Sequence, residues 1–410
     1  SALTTDPTFI FSISMTLPEL LAPAGSLERL KVAVLYGANA VYLSGHHFGL
    51  RSGADNFTDT EIIEGLQFAH QHDAKVFVVL NAFPHDQDLK EMPDYVIWLE
   101  QQGVDAVIVS DLGTCTLIHQ HTNLPIHLST QASCLNSWAA QAWKNLGVQR
   151  LILGREVSVQ EAGWIRRKVG IAVEFFIHGS MCMAYSGNCV ISNYTAGRDS
   201  NRGGCVQSCR FHYDVQAPNK EETCKASFMS SKDLRGLEQL PQFLEQGIDS
   251  LKIEGRMKSN LYVATTTRVY AQGLKVCATE PPPLWQSRLQ ELTQELERIP
   301  HRGYTEASLN TPAGQDSIYQ GHRNGEQRYE IAGTVLDTSE NFLTLLVQNP
   351  FTAGESLEFL TFAGETISLN TSGLLDIQQR PLKRAKPNSL VLLPSIPQIK
   401  PLNLARRQAA

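Results

Sequence analysis

From Glu19 to about Cys277, short apolar runs alternate with longer segments whose apolar residues recur every three or four positions. The runs are Glu19-Leu-Leu-Ala22, Ala40-Val-Tyr-Leu-Ser44, Lys75-Val-Phe-Val-Val-Leu80, Ala106-Val-Ile-Val-Ser110, Pro125-Ile-His-Leu-Ser129, Arg150-Leu-Ile-Leu-Gly154, Ala172-Val-Glu-Phe-Phe-Ile177 and Asp249-Ser-Leu-Lys-Ile-Glu254. They are short, apolar and β-branched, the pattern of parallel strands buried on both faces. Between them, Leu27, Leu30, Val34 and Leu35 keep helical spacing, as do Ile62, Leu66 and Ala69, and Ile165 and Val169. Gly25-Ser26, Thr58-Asp59 and Ser158 offer helix starts. Eight strands, each followed by a helix, predict an α/β fold of the (β/α)8 TIM-like barrel type. A doubly wound open sheet is the rival, but the chain lacks its switch-point glycine fingerprint.

The pattern changes after residue 280. Glu280-Pro-Pro-Pro-Leu284 reads as a stiff linker, and a charged helix follows from Trp285 to Ile299. From residue 329 onward, short runs beginning at Ile331, Phe342, Glu355, Ile367 and Ser389 are separated by Gly, Pro and Asn turns. They predict a small antiparallel β-barrel domain. The expected organisation is a leader remnant at 1–15, a barrel at 16–280, a linker and helix at 281–328, and a C-terminal β-domain at 329–410. Met15 is a candidate natural start.

Size and charge narrow the class. At 410 residues two domains are expected, and disulfide staples are not needed for stability. A net charge of −6 argues against a surface covered in nucleic-acid-binding charge. Within residues 377–410, however, Arg380, Lys383, Arg384, Lys386, Lys400, Arg406 and Arg407 face no acidic residue in the sequence. This basic tail is either solvated or a phosphate-contacting surface for RNA. The apolar run Phe9 to Met15 is too short to span a bilayer and lacks the features of a secretory signal. A cytoplasmic location is the expectation, with no membrane partner and an oligomer left open.

Five of the eight cysteines fall in one window: Cys182, Cys189, Cys205, Cys209 and Cys224. The gaps between them are six, fifteen, three and fourteen residues. A zinc ribbon more often shows CxxC pairs. Long irregular gaps suit a thiolate cage for an iron–sulfur cluster wrapped by a loop. The window lies in an excursion, 179–230, that follows the seventh strand. That is where a barrel places its active-site loops, and long loops of this kind are usually functional.

The stretch Glu174-x-Phe176-x2-Gly179-Ser180-Met181-Cys182-x4-Gly187-x-Cys189-x-Ile191-Ser192 resembles the signature of the peptidase U32 family. Leu21-Ala-Pro-Ala-Gly25, His127-Leu-Ser-Thr-Gln131 and Ser250-Leu-Lys-Ile-Glu-Gly-Arg256 resemble the same family, so the likeness spans nearly the whole barrel. Within it, Asn201-Arg-Gly-Gly-Cys205-x3-Cys209-Arg210 and Lys252-Ile-Glu-Gly-Arg-Met-Lys258 are most similar to the branch that hydroxylates tRNA. The resemblance implies oxygen-independent conversion of wobble uridine 34 to 5-hydroxyuridine, with prephenate as co-substrate and a [4Fe-4S] cluster. It implies cluster ligands at Cys182, Cys189, Cys205 and a fourth cysteine. Cys224, in Thr223-Cys224-Lys225, is the preferred match, with Cys209 the alternative. The position at which tRNA-type members place a cysteine is here Arg235, in Lys232-Asp-Leu-Arg235. Cys115, Cys134 and Cys277 read as buried thiols.

Other candidates come from strand ends. His178 closes strand seven beside the first cysteine and is a catalytic candidate, weighed against a core histidine. Glu174 points into the barrel, where a lone carboxylate is expensive. Lys252 or Arg256 is the expected partner, and all three are candidate catalytic residues. A dicarboxylate donor calls for a cationic clamp; the rim candidates are Arg51, Arg155 and Arg256, with Gln131 beside them. Three functions compete: an RNA hydroxylase acting on tRNA, a collagenase-like peptidase, and a non-enzymatic cluster scaffold. Related substrates for the first are a 23S rRNA cytidine and a ubiquinone precursor. For the second, the chain has no HExxH and no GxSxG, and His178 with Cys182 is the available dyad.

Overall fold

The computed structural model describes residues 16–46, 48–49, 56–216, 223–319 and 329–409. Eight parallel strands close into a barrel: β1 (Glu19–Pro23), β2 (Ala40–Leu43), β3 (Lys75–Leu80), β4 (Ala106–Val109), β5 (Ile126–Leu128), β6 (Arg150–Ile152), β7 (Ala172–Ser180) and β8 (Ser250–Ile253). Leu251 of β8 pairs with Phe175 of β7 on one side and with Leu20 of β1 on the other, which completes the ring. The strands are apolar because both their faces are covered, by the barrel interior and by the outer helices.

Those helices are α1 (Leu27–Leu35), α2 (Asp59–Gln71), α3 (Met92–Gln101), α4 (Leu112–His121), α5 (Ser137–Asn145) and α6 (Val159–Val169). After a short helix α7 (Ile191–Ala196) in the excursion come α8 (Leu240–Glu245), α9 (Asn260–Thr279) and α10 (Pro282–Leu296). The expected starts at Ser26, Thr58 and Ser158 are N-caps. Thr58 with Glu61 and Ser158 with Glu161 form reciprocal capping boxes.

The proline run departs from its reading as a linker. Glu280 caps the end of α9, Pro281 is the N-cap of α10, and Pro282 and Pro283 lie in its first turn. Proline is suited to that turn because its missing N–H would have no intrahelical partner there. Downstream, Tyr304–Thr305 pairs in parallel with Asp233–Arg235, so this connecting segment extends the barrel sheet.

The C-terminal domain is antiparallel, as expected. Its main sheet has six strands, β9 (Tyr329–Thr338), β10 (Phe342–Val347), β11 (Ser356–Leu360), β12 (Thr366–Asn370), β13 (Leu390–Pro394) and β14 (Leu404–Gln408), beside a short pair, Phe351–Thr352 with Arg384–Ala385. The order is β12-β11-β14-β9-β10-β13, an open half-barrel over its own apolar core. Residues 377–410 are not a solvated tail. They supply β13 and β14, and Arg406 is wholly buried between Glu295 (3.0 Å) and Glu358 (2.8 Å). Arg407 pairs with Glu330 and Glu355, and Arg380 with Asp376. Lys383, Arg384, Lys386 and Lys400 remain exposed.

The sheet is docked on one flank of the barrel. The Tyr36 hydroxyl donates to the Leu360 carbonyl (2.7 Å) and accepts from the Leu404 N–H (3.1 Å). Arg268 of α9 pairs with Glu295 of α10 and reaches Thr366 of β12. Leu360 and Leu404 belong to the barrel's apolar cluster. Among the described residues, no helix is long and apolar enough to cross a membrane.

Candidate active site

A cavity of about 190 Å³ opens at the C-terminal mouth of the barrel. Strand ends form its floor and walls: Tyr42 from β2, Asn81 after β3, Gln131 after β5, Arg155 after β6, Phe176 from β7, and Lys252 and Arg256 from β8 and the turn beyond it. The excursion forms the roof, with Cys182, Cys189, Cys205, Cys209 and Arg210 in the lining.

Two motif glycines let the mouth close up. Gly179 has φ +105°, and a Cβ there would sit 2.4 Å from the Glu254 carbonyl oxygen. A Cβ on Gly25 would meet the Arg256 carbonyl oxygen at 1.9 Å. Both approaches exclude any side chain.

The excursion is tied down by polar contacts. The end of β7 pairs antiparallel with Asp233–Arg235, which fixes both ends of the loop. The Asn201 amide exchanges hydrogen bonds with the backbone N–H and carbonyl of Cys189. Arg202 donates to the Phe83 carbonyl (2.6 Å) and to Asp88 (2.7 Å), and it holds the Asp88 carboxyl below its usual range. The Ser186 N–H donates to Glu156 (2.6 Å). The loops after β3 and β6 thus brace the roof.

All eight cysteines are unbridged. Burial pushes the Cys209 thiol upward, and its neighbours Cys182, Cys205 and Cys189 add to the rise. Four cysteines therefore surround one space. Cys224 is elsewhere, exposed on the hairpin formed by Tyr213–Gln216 and Thr223–Ala226, and it does not line the cavity. Among the described residues, no three of His, Cys, Asp or Glu are grouped tightly enough to hold a metal ion.

Beneath the floor runs a column of buried charge. The Lys252 ammonium donates to Glu174 (2.8 Å) and lies 4.2 Å from the Tyr42 ring centroid. The other Glu174 oxygen accepts from Arg150 (3.2 Å), which also pairs with Glu19 (2.6 Å) at the barrel base. Glu174 has no exposed surface. Burial lowers the Lys252 ammonium from its ordinary range, and Glu174 opposes that shift. Lys252 is the expected partner of Glu174; Arg150 was not foreseen, because it enters from the opposite end of a neighbouring strand.

His178 does not reach this site. One extra residue in β7, between the pairs Phe176↔Lys252 and His178↔Ile253, breaks the alternation of its side chains. The ring is fully buried near Tyr262, Tyr270 and Tyr304, with Nδ1 3.2 Å from the Tyr270 hydroxyl. Burial pulls its pKa down to about 3. It is a core histidine, and the Cys182–His178 dyad is not formed. Of the other candidates, Lys252, Arg256, Arg155 and Gln131 meet at the cavity, with the Arg155 guanidinium 4.0 Å from the Phe176 ring centroid. Glu174 lies beneath as counter-ion, and Arg51 lies outside the described residues. Asn81 was missed. Its amide donates to Gln131 (2.6 Å), and its place just past a barrel strand was the available signal.

Residues 25–319 match peptidase family U32, and residues 327–406 match the peptidase family U32 C-terminal domain. The chain belongs to peptidase family U32. Among its U32 relatives is the tRNA hydroxylation protein P1 of Bacillus subtilis (strain 168), 41% identical over 388 residues, which are 90% of this chain and 91% of the relative. The tRNA hydroxylation protein P of Escherichia coli (strain K12) is 33% identical over 400 residues, 85% and 87% of the two chains. A 23S rRNA 5-hydroxycytidine synthase of the same organism is 33% identical over 347 residues, covering 83% of this chain and 52% of that one.

Proposed function

We propose that this U32 protein is an RNA-modifying enzyme that hydroxylates the wobble uridine of tRNA to 5-hydroxyuridine. One observation carries the reading: four cysteines of the excursion and the cationic groups of Lys252, Arg155 and Arg256 line the same cavity at the barrel mouth. The names borne by the relatives support an RNA substrate, and tRNA is the one named for the two that match along most of their length.

The donor set suits a [4Fe-4S] cluster on Cys182, Cys189, Cys205 and Cys209. Thiolates are the ordinary ligands of such clusters. A single zinc ion requires all its ligands at about 2.0–2.3 Å from one centre, and no such grouping occurs among the described residues. A cluster bound there would supply one-electron chemistry without dioxygen. The chain's own residues bind and orient. Lys252, fixed by Glu174, and the guanidinium groups of Arg155 and Arg256 suit the two carboxylates of prephenate, the proposed hydroxyl donor. Asn81 and Gln131, already bonded to each other, offer amide groups to a uracil edge.

A peptidase reading lacks its base, because His178 is buried away from Cys182. The test is mass spectrometry of tRNA nucleosides from a deletion strain lacking any paralogue. Loss of 5-hydroxyuridine at the wobble position, restored by the wild-type gene, is expected. An unchanged 5-hydroxyuridine level would reject the reading. Anaerobic purification should give a brown protein carrying iron and acid-labile sulfide.

A further inference from the structure

Exposed apolar side chains gather around the cavity mouth. Met183, Tyr185, Val190 and Tyr194 project from the roof, Phe211 follows the lining residue Arg210, and Met257 follows the lining residue Arg256. Tyr194 is 88% exposed and Tyr185 59% exposed. Tyr194 sits on α7, whose first two residues, Ile191 and Ser192, line the cavity. Folding does not explain these rings, since a tyrosine so exposed adds little to a core.

Cationic groups are interleaved with them. Arg198 is exposed just past α7, and Arg210 faces the cavity. Flat aromatic faces alternating with cations are the chemistry that holds unpaired nucleotides, by base stacking and phosphate contact. The cavity adds a constraint of place: it lies at the barrel mouth under the roof, walled by strand ends and the excursion. A base must leave its stack to enter, which favours a single-stranded segment over a duplex.

The geometry points to a stacking platform: Tyr194 and Tyr185 hold the unpaired nucleotides that flank the target base while that base is turned into the cavity. This inference rests on the RNA-hydroxylase reading and adds the recognition surface and the single-stranded state of the substrate. It takes RNA over a peptide because Arg198 and Arg210 complement a phosphate backbone.

The test measures binding of fluorescein-labelled oligouridine, a blunt RNA duplex and a gelatin-derived peptide to the full chain by anisotropy. Wild type should prefer oligouridine to duplex. Stacking is worth about 1–3 kcal/mol per base, so Tyr194→Ala or Tyr185→Ala alone should weaken oligouridine binding about 5- to 150-fold, and the double alanine variant should weaken it further. Tyr194→Trp should retain binding, which separates stacking from misfolding. Trp138→Ala, at an exposed ring on α5 in the outer wall, should change nothing. Equal affinity for duplex, or wild-type affinity in the double alanine variant, overturns the platform. Tight binding of the gelatin peptide through the tyrosines, without oligouridine binding, overturns it in favour of a peptide surface. If the platform fails while the gene still restores 5-hydroxyuridine in cells, the hydroxylase reading stands. If neither oligouridine binding nor 5-hydroxyuridine is found, that reading falls too.

Discussion

The Glu174–Lys252 pair makes the sharpest demand on the barrel. Glu174 is wholly buried and Lys252 is 4% exposed. Replacing Glu174 with Leu leaves the ammonium inside the barrel against the Tyr42 ring, a contact worth about 2 kcal/mol when desolvated. Arg150 keeps its pair with Glu19 at 2.6 Å, so the main damage falls on Lys252. Breaking a buried ion pair from one side costs about 3–5 kcal/mol, because the remaining charge has lost both water and partner. For a barrel of this size a change of 1 kcal/mol moves the thermal midpoint by about 2 °C, so a fall of roughly 6–10 °C is expected. Adding Lys252→Met should recover most of that loss, since two apolar side chains replace the pair. Thermal unfolding followed by near-ultraviolet circular dichroism at neutral pH reads both values. A Glu174→Leu variant that melts with the wild type, or a double variant that melts no higher than the single, would refute the coupling.

Other outcomes follow from the same geometry. In the iron assay, Cys209→Ser should lose bound iron and sulfide while Cys224→Ser keeps them; the reverse result would move the fourth ligand to the hairpin. His178 is held neutral in the fold with its pKa near 3, against about 6.5 when unfolded, so stability is complete above pH 6.5 and declines as the pH falls toward 3. By pH 5 this group alone removes about 2 kcal/mol, and His178→Phe should flatten that part of the denaturant-midpoint profile. Gly179→Ala should cost at least roughly 1–2 kcal/mol from the left-handed backbone alone, plus the clash with Glu254, seen as a lowered urea midpoint. Arg406→Leu should cost about 1–3 kcal/mol, because Glu295 and Glu358 lose a buried charged donor but keep Arg268 and Arg298, whereas Arg380→Ala should leave the melting midpoint unchanged.

The barrel was legible because strands covered on both faces must be apolar, and each run matches an observed strand within two residues, except that the seventh strand runs on to Ser180. The mouth was legible where strand ends carry polar side chains, as with Lys252, Gln131 and Arg155. Two features were not. The extra residue in β7 turned His178 toward Tyr270, and strict alternation gives no warning of a bulge. Which cysteine faces the cavity depends on the path of an irregular loop, including left-handed backbone at Ser186 and Gln207, and spacing alone does not encode that path. The basic character of residues 377–410 also misled. Arg406 and Arg407 are answered by Glu295, Glu358, Glu330 and Glu355, which lie far away in sequence.

The strand order of the C-terminal sheet bears on how the protein is made. β14, last of the six along the chain, lies in the middle, between β11 and β9. During synthesis the earlier strands emerge as two separate pieces, β11–β12 and β9–β10–β13, with no shared edge between them. The sheet therefore cannot be completed until residues 404–408 have left the ribosome. A chain stopped before Leu404 loses the N–H that bonds Tyr36 and the arginine that pairs Glu295 with Glu358. It also leaves two open sheet edges, the kind of surface on which chains aggregate. A break ahead of Leu404 therefore opens the middle of the sheet and not its rim.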